Sequence, residues 1–444
     1  MNSTAENESK IIMCYRYFTD HINSSDGEVL FRILSRLLND EVQMLVIIEL
    51  DSNDDEQHIF DTINSTGEKL TAADIIKNAL FHTIQGDDNI DGIYQQYWQE
   101  CFEKNNEVVS KWLCTKGTGQ NQRTFIDSFF YCFAVIKGFF DVKNDKLANL
   151  AQKYKEHIQD FDHDANVSFI MEVYEYGKVY WETFIGFDAL TAYSFSDDKS
   201  RLLHILSESK IYAFDSIILY ALKNYDADKQ SKIFNNIERY VVRHFIIGTS
   251  EKKSFADNAA KMINNTFDFE VELKDDSISD ERFEDSLKDL SNNNAKLLLF
   301  WVELYKQSIS NRNDLSKVFL PYSFELEHIL PVKWEDKWSN NLPQKDEDGN
   351  LISKDQAIAN RNKVKNQLGN MTLLTASLNR AIKNGSFKDK VNGNGKYPGY
   401  KDCSALSITT EIIEENDWNE KTIIERTKKL FDLIKKIWPA NAVS

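Results

Sequence analysis

Apolar side chains recur at helical spacing through most of the chain. The clearest stretches are VLFRILSRLL (29–38), FIDSFFYCFAVIKGFF (125–140) and KIFNNIERYVVRHFII (232–247). All five prolines lie at or beyond Pro321, so none interrupts a helix before that point. The pattern therefore predicts a long, predominantly α-helical region that ends at about residue 308–320, where the proline-containing part begins.

The N-terminal part has a different pattern. VQMLVIIEL (42–50) is short, apolar and rich in β-branched residues, which predicts a buried strand. The turn NSTGEKL (64–70) follows, and then a helix start in which Thr71 is the expected N-cap and Asp74 completes an acidic capping box. Such a strand, turn and helix can bind an anion on free backbone amides, although a plain connecting turn is the simpler explanation of the pattern.

Two later segments predict a small sheet with one helix. FELEHILP (324–331) and MTLLT (371–375) have strand character, and a helix is expected to begin at Ala376 or Ser377. Asn379 would lie in its first turn, on the same face as Lys383. The predicted order is strand, long loop, strand and helix.

This order suits phosphodiester hydrolysis, which needs a base, an aligned water and a cation. His328 has the right pKa range for the base, and Asn370 is placed to orient its imidazole. Glu327 lies on the opposite side of a regular strand, but a twist or bulge would let it share a metal with Asn379. Such oxygen ligands favour Mg²⁺ or Mn²⁺. The simpler alternatives are a structural histidine, a turn asparagine and an exposed helical asparagine.

Charge is distributed unevenly along the chain. The net charge is −17, yet residues 361–401 contain nine basic residues and one acid, a net +8. A solvated basic surface is one explanation. The position after His328 favours another, a surface that grips the phosphates of double-stranded DNA. The predicted DNA contacts are Arg361, Lys363, Lys365, Arg380, Lys383 and Lys388.

Composition limits the remaining possibilities. A chain of 444 residues suggests two or three domains. No apolar run reaches the roughly 18 residues of a membrane span, and the polar start MNSTAENESK has no signal core, so we expect a cytoplasmic protein without membrane contact. The five cysteines form no C-x-x-C pair, which argues against structural zinc and a disulfide framework.

Three stretches resemble one family, the GmrSD-type (type IV, modification-dependent) restriction endonucleases. EHILP, the GN before MTLL, and an Asn nine positions after Asn370 are similar to the HNH, or ββα-metal, motif of the C-terminal nuclease domain. DWNEKTIIERTKKLFDLIKKIWP (417–439) resembles the end of that domain. IFDTINSTGEKLTAADIIKNALF (59–81) resembles the end of a ParB/sulfiredoxin-like nucleotidase domain.

The resemblance implies an α+β, predominantly α-helical fold with three parts. These are a truncated N-terminal α/β piece (1–90), a helical linker or recognition domain (91–312), and a ββα-metal nuclease embedded in helices (313–444). It also implies a metal-dependent DNA endonuclease of a bacterial anti-phage system, acting on foreign DNA that includes modified cytosines. The alternative is an inactive or partner-dependent DNA-binding remnant of such a system.

The resemblance assigns roles residue by residue. His328 is the base, Asn370 orients it, and Asn379 and Glu327 are ligands of Mg²⁺ or Mn²⁺. Asn64, Gly67 and Asp74 match a nucleotide-binding block. The family's upstream Asp-Gly-Gln-Gln-Arg block is absent, so we expect an incomplete nucleotide site, little NTP hydrolysis, and a separate chain or a homodimer completing the domain.

Overall fold

The computed structural model describes residues 10–38, 70–117, 122–189, 192–250, 254–310, 318–339, 342–344, 350–382, 384–403 and 405–442. Within it the chain forms two compact units, Met1–Lys111 and Trp112–Ser444. Each unit is described separately below. The predicted boundaries at residues 90 and 312 remain predictions.

Helices make up the described part of the first unit. They are α1 (Lys10–Ser24), α2 (Gly27–Leu37), α3 (Ala72–His82), α4 (Ile90–Ile93), a π-helix (Tyr94–Glu103) and α5, which begins at Asn106 and ends at Leu113. The predicted start of α3 is confirmed, because Thr71 and Asp74 form a reciprocal capping box. The strand predicted at residues 42–50 lies outside the described residues.

The second unit begins with a short hairpin, β1 (Thr115–Lys116) and β2 (Arg123–Thr124), and continues in helices. The helices are α6 (Phe125–Lys137), α7 (Leu150–Ile158), α8 (His163–Tyr180), α9 (Asp198–Ser209), α10 (Asp215–Asn224), α11 (Ala227–Ile247), α12 (Phe255–Ile263), α13 (Phe269–Glu272), α14 (Asp280–Ser286) and α15 (Asn292–Ser310), with short 3₁₀ or π turns at Leu147–Asn149, Trp181–Ile185, Gly186–Ala189 and Asp276–Ile278. The helices predicted from residues 125–140 and 232–247 are confirmed. Each ends at a glycine in the left-handed conformation, Gly138 and Gly248.

The C-terminal part contains the predicted sheet and helix. Its elements are β3 (Glu325–His328), α16 (Glu335–Trp338), α17 (Lys354–Val364), a 3₁₀ turn (Leu368–Asn370), β4 (Met371–Leu374), α18 (Ala376–Ile382), α19 (Phe387–Asn392), α20 (Tyr400–Cys403), α21 (Ser407–Ile413) and α22 (Glu420–Ile437). Strands β3 and β4 pair antiparallel, with Glu325 opposite Leu374 and His328 opposite Met371. The predicted order of strand, loop, strand and helix is therefore confirmed.

The α+β, predominantly helical class is also confirmed, because the described residues contain two two-stranded sheets among many helices. The small β3–β4 sheet packs against α15, α18 and α21. Two buried charges tie the helical part to the C-terminal segment: Arg243 donates from Nε to the carbonyl of Trp438 at 3.0 Å, and Trp438 donates from its indole to Glu238. Across the described ranges, no helix has the length and apolar character needed to span a bilayer.

Candidate active site and DNA interface

His328 is the last residue of β3. Its side chain is half-buried, and its imidazole has no hydrogen-bond partner among the described residues. Burial, and to a smaller extent the positive charge of Lys390, together lower the pKa of His328 to about 4. The imidazole is therefore neutral at pH 7 and free to accept a proton.

Glu327 lies on the other face of the same strand. The register from Glu325 to His328 is regular and contains no bulge, so alternation places Glu325 and Glu327 opposite His328. The local bulge considered from the sequence is absent. The Glu327 carboxylate is buried and forms an ion pair with Lys390. Burial raises the pKa of Glu327 and lowers the pKa of Lys390, while their mutual attraction opposes both shifts.

Asn370 holds the chain just beyond His328. It is fully buried, and its side-chain oxygen accepts from the backbone N–H of Leu330 at 2.8 Å and the indole of Trp418 at 3.0 Å. Its amide nitrogen donates to the carbonyls of Leu330 and Lys365, each at 2.8 Å. The expectation that Asn370 bonds the imidazole is wrong for this structure, because all of these partners lie elsewhere. Asn370 instead bonds the backbone of Ile329 and Leu330, just after His328.

A second layer holds Asn370 in turn. Arg426 of α22 donates to the carbonyls of Gly369 and Met371, each at 2.7 Å, on either side of Asn370. Gly369 lies so close to α22 that a Cβ there would be 2.1 Å from the carbonyl oxygen of Ile423. Only glycine permits this approach. The turn that carries Asn370 is thus fixed by the terminal helix.

Asn379 lies in α18 beside the start of β3. Its amide nitrogen donates to Glu325 at 3.0 Å and approaches the carbonyl of Leu326 at 3.5 Å. The described residues contain no cluster of three His, Cys, Asp or Glu side chains arranged to bind a metal. Magnesium is commonly held by one or two carboxylates together with substrate phosphates. The oxygens of Asn379 and of the β3 carboxylates fit that donor set, although Glu327 is engaged by Lys390.

The predicted DNA contacts differ in their exposure. Lys363, Arg380 and Lys388 are exposed and Lys365 is half-buried. Lys383 lies outside the described residues. Arg361 is 1% exposed, forms an ion pair with Glu420 at 2.6 Å and donates to the carbonyl of Trp338. The prediction that Arg361 contacts DNA is therefore wrong for this structure, because its guanidinium is bonded to partners inside the protein.

The proposed nucleotide residues are only partly visible. Asn64 and Gly67 lie outside the described residues. Asp74 caps α3, and its carboxylate accepts from the backbone N–H of Thr71 at 3.0 Å and from the Thr71 hydroxyl at 2.7 Å. A nucleotide site at these three positions stays a prediction.

Sequence reasoning missed three residues that shape the site. Lys390 was counted as one of several basic surface residues, yet it is buried beneath β3. Glu325, rather than Glu327, adjoins Asn379. Arg426 lies in the stretch 417–439, and no role of its own was predicted for it. The available signal was the capping box of Ser386 and Asp389, which fixes where α19 begins and therefore which of its lysines turns inward.

A histidine at a strand end, an asparagine-locked turn and a following helix beside exposed basic residues indicate a DNA-cleaving enzyme. Comparison with protein families agrees. The C-terminal domain of GmrSD restriction endonucleases matches residues 274–433, and the GmrSD restriction endonuclease N-terminal domain matches residues 2–81. Together the two matches cover more than half of the chain. The protein is a DNA endonuclease of a restriction system, and it belongs to the GmrSD restriction endonuclease family. No curated protein matches the chain.

Proposed function

We propose that the C-terminal part is an HNH-type, metal-dependent endonuclease in which His328 is the general base. The observation that carries the proposal is the placement of His328 at the end of β3, where Asn370 locks the following backbone. A half-buried, neutral imidazole at a rigid strand end can take a proton from an attacking water. A merely structural histidine at this depth would be expected to have hydrogen-bond partners of its own.

The low pKa of His328 has a consequence for catalysis. A conjugate acid with a pKa of about 4 makes the free imidazole a weaker base than one that titrates near neutrality. The negative charge of a nearby DNA phosphate favours the protonated form and raises the pKa. Substrate binding therefore strengthens the base at the moment when it is needed.

The proposal includes Mg²⁺ or Mn²⁺ at Asn379 with a carboxylate of β3. A cation there would offset charge that develops on the phosphate. The family resemblance assigns Glu327 as the second ligand. In the structure, however, Glu327 is paired with Lys390, and the carboxylate that contacts Asn379 is that of Glu325. Replacing each by glutamine separates them: loss of Mn²⁺ binding, measured by electron paramagnetic resonance, in only one variant identifies the ligand. Asn379→Ala is expected to weaken Mn²⁺ binding in either case.

The substrate is proposed to be double-stranded foreign DNA, including DNA with modified cytosines. Exposed Lys363, Arg380 and Lys388 support phosphate contacts, and the choice of modified DNA rests on the family resemblance alone. A cytoplasmic location belongs to the same proposal, as does a separate chain or a second copy of this chain as a partner.

Plasmid cleavage tests the proposal. The protein is incubated with supercoiled plasmid and with modified and unmodified phage DNA, in Mg²⁺, Mn²⁺ or EDTA. The proposal expects nicked or linear product with metal and none in EDTA. DNA binding without cleavage under every condition, including added NTP, would instead favour the alternative of an inactive remnant.

A further inference from the structure

Lys390 is the least exposed charged side chain near His328. Its relative exposure is 0%, and its ammonium meets two acceptors on β3. One is the Glu327 carboxylate, in an ion pair, and the other is the backbone carbonyl of His328 itself, at 2.8 Å. A single buried cation therefore fixes both consecutive residues at the end of the strand.

The element that carries Lys390 is itself rigid. Helix α19 starts in a capping box, where Ser386 and Asp389 bond each other's backbone N–H. Just after the helix, a Cβ on Gly399 would be 2.3 Å from the nitrogen of Gly393, so the returning chain closes tightly on the helix end. Gly393 also has a φ of +74°, which favours glycine. Lys390 is thus presented from a fixed support.

The backbone on both sides of the His328 side chain is held by hydrogen bonds. Lys390 donates to the backbone carbonyl of His328. The backbone carbonyl of Asn370 accepts from the N–H of Ile329 at 2.9 Å, and the side-chain oxygen of Asn370 accepts from the N–H of Leu330. The peptide units around the imidazole therefore have partners from two separate segments. The hydrogen bonds that both partners form in the structure go to atoms other than the ring nitrogens, which stay available for chemistry.

We propose that Lys390 is a positioning residue for DNA cleavage: its buried ammonium holds the His328 backbone and the Glu327 carboxylate in the arrangement that the reaction requires. The inference rests on the proposed function of His328. Stability alone is a weak reason for such a pair, because burying two charges costs about as much as their attraction returns. A role in fixing the geometry of the reactive strand explains why the cation bonds the carbonyl as well as the carboxylate.

The test compares Lys390→Met, Lys390→Arg and the exposed control Lys354→Met. Lys390→Met removes the ammonium and keeps the aliphatic length, so kcat should fall by roughly 10–100-fold while DNA affinity is unchanged. Lys390→Arg keeps a cationic donor and should recover part of the loss. Lys354, on α17, is exposed and outside the site, so Lys354→Met should cleave as the wild type does. Lys388→Met, on the same helix as Lys390, should weaken DNA binding, which Lys390→Met should not.

A double variant guards against simple misfolding. Lys390→Met leaves Glu327 buried and unpaired, whereas Glu327→Gln with Lys390→Met leaves no buried charge. The thermal midpoint of the double variant should therefore be higher than that of Lys390→Met. Its kcat should still be lower than that of Glu327→Gln, because the His328 carbonyl remains without its donor.

Hydrogen exchange of a peptide spanning residues 325–331 gives a readout independent of activity. Exchange should be faster in Lys390→Met than in the wild type or Lys354→Met, because the strand end loses an anchor. Wild-type kcat in folded Lys390→Met, or equal kcat in Glu327→Gln and the double variant, overturns the role of Lys390 alone. Absence of cleavage by the wild type overturns the proposed function, and this inference with it.

Discussion

The helical core and the nuclease core are stabilised by different kinds of contact. Between α6 and α8, the core is built from aromatic rings: Phe133 packs edge-on against Phe169 and Tyr176, with ring centroids 5.4 and 5.3 Å apart. Around β3 and β4, buried polar groups bond backbone atoms, as Asn370 and Arg426 do. The hydrophobic contribution to aromatic packing is non-directional, whereas each polar bond fixes one atom relative to another.

The difference follows from what each region has to do. A scaffold needs a core without voids, and neighbouring rings can adjust when a core side chain changes slightly in size or shape. A reactive strand needs its peptide units in one arrangement, which a satisfied buried polar network specifies. We therefore expect that replacing a buried polar residue around β3 lowers the free energy of unfolding more than exchanging one apolar residue for another between α6 and α8.

The largest expected effect is at Arg426. Arg426→Met leaves the carbonyls of Gly369, Met371 and Ile408 without their donor, and we expect it to lower the free energy of unfolding by about 3–5 kcal/mol. Urea unfolding measures the change. Lys428→Met, an exposed position of the same helix, should stay within about 0.5 kcal/mol of the wild type. Equal stability of the two variants would refute the distinction between the regions.

A pH-dependent effect is expected in the helical part. His204 is buried, accepts from the Trp301 indole at 3.2 Å, and has a pKa lowered to about 3, chiefly by burial and secondarily by Lys296. The unfolded chain, with an ordinary histidine pKa of 6.5, binds this proton more readily. Stability contributed by neutral His204 is therefore complete above pH 6.5 and declines as the pH falls towards 3, by about 1.4 kcal/mol per unit at most.

Glutamine at position 204 isolates that contribution. His204→Gln cannot ionise in this range and keeps an acceptor for the Trp301 indole. Thermal midpoints at pH 7 and pH 5 should differ less in the variant than in the wild type. An identical acid dependence in both proteins would show that His204 is protonated without cost in the folded state.

A smaller effect is expected for an apolar exchange in the aromatic core. Phe133→Leu keeps an apolar side chain of similar volume, and the surrounding rings can close around it, so the expected cost is about 1–1.5 kcal/mol. Asn370→Leu, a comparable exchange at the nuclease site, should cost more, because it leaves four hydrogen-bond partners unsatisfied. Chemical unfolding that ranked the two in reverse order would contradict the comparison.

The smallest effects are expected at the exposed lysines. Lys363→Met and Lys388→Met should each reduce the salt dependence of DNA binding by about 0.9 in the slope of log K against log salt, with little change in stability. Arg361→Met should instead destabilise the fold and leave that slope unaltered, because Arg361 is paired with Glu420. Fluorescence anisotropy over a salt series measures the slopes. A reduced salt dependence of DNA binding in Arg361→Met would show that Arg361 contacts DNA after all.

The sequence was sufficient to predict β3, β4, the start of α18 and the Thr71 cap, because each depends on neighbouring residues. It could not predict which atoms Asn370 bonds, since its indole partner Trp418 is 48 positions away and becomes adjacent only after folding. The same holds for Lys390, which reaches Glu327 across 63 positions. Arg361 shows the opposite error. Its place in a basic segment predicted a DNA contact, but its guanidinium forms an internal ion pair with Glu420.

The proposed role of the polar network around β3 is to present His328 as a base. The single-turnover rate of DNA cleavage by His328→Ala, at saturating DNA and metal, tests it most directly, with the exposed His163→Ala as control. We expect His328→Ala to cleave at least about 100-fold more slowly than the control, with equal DNA affinity and thermal stability. Equal cleavage rates for the two variants would show that His328 is not the base.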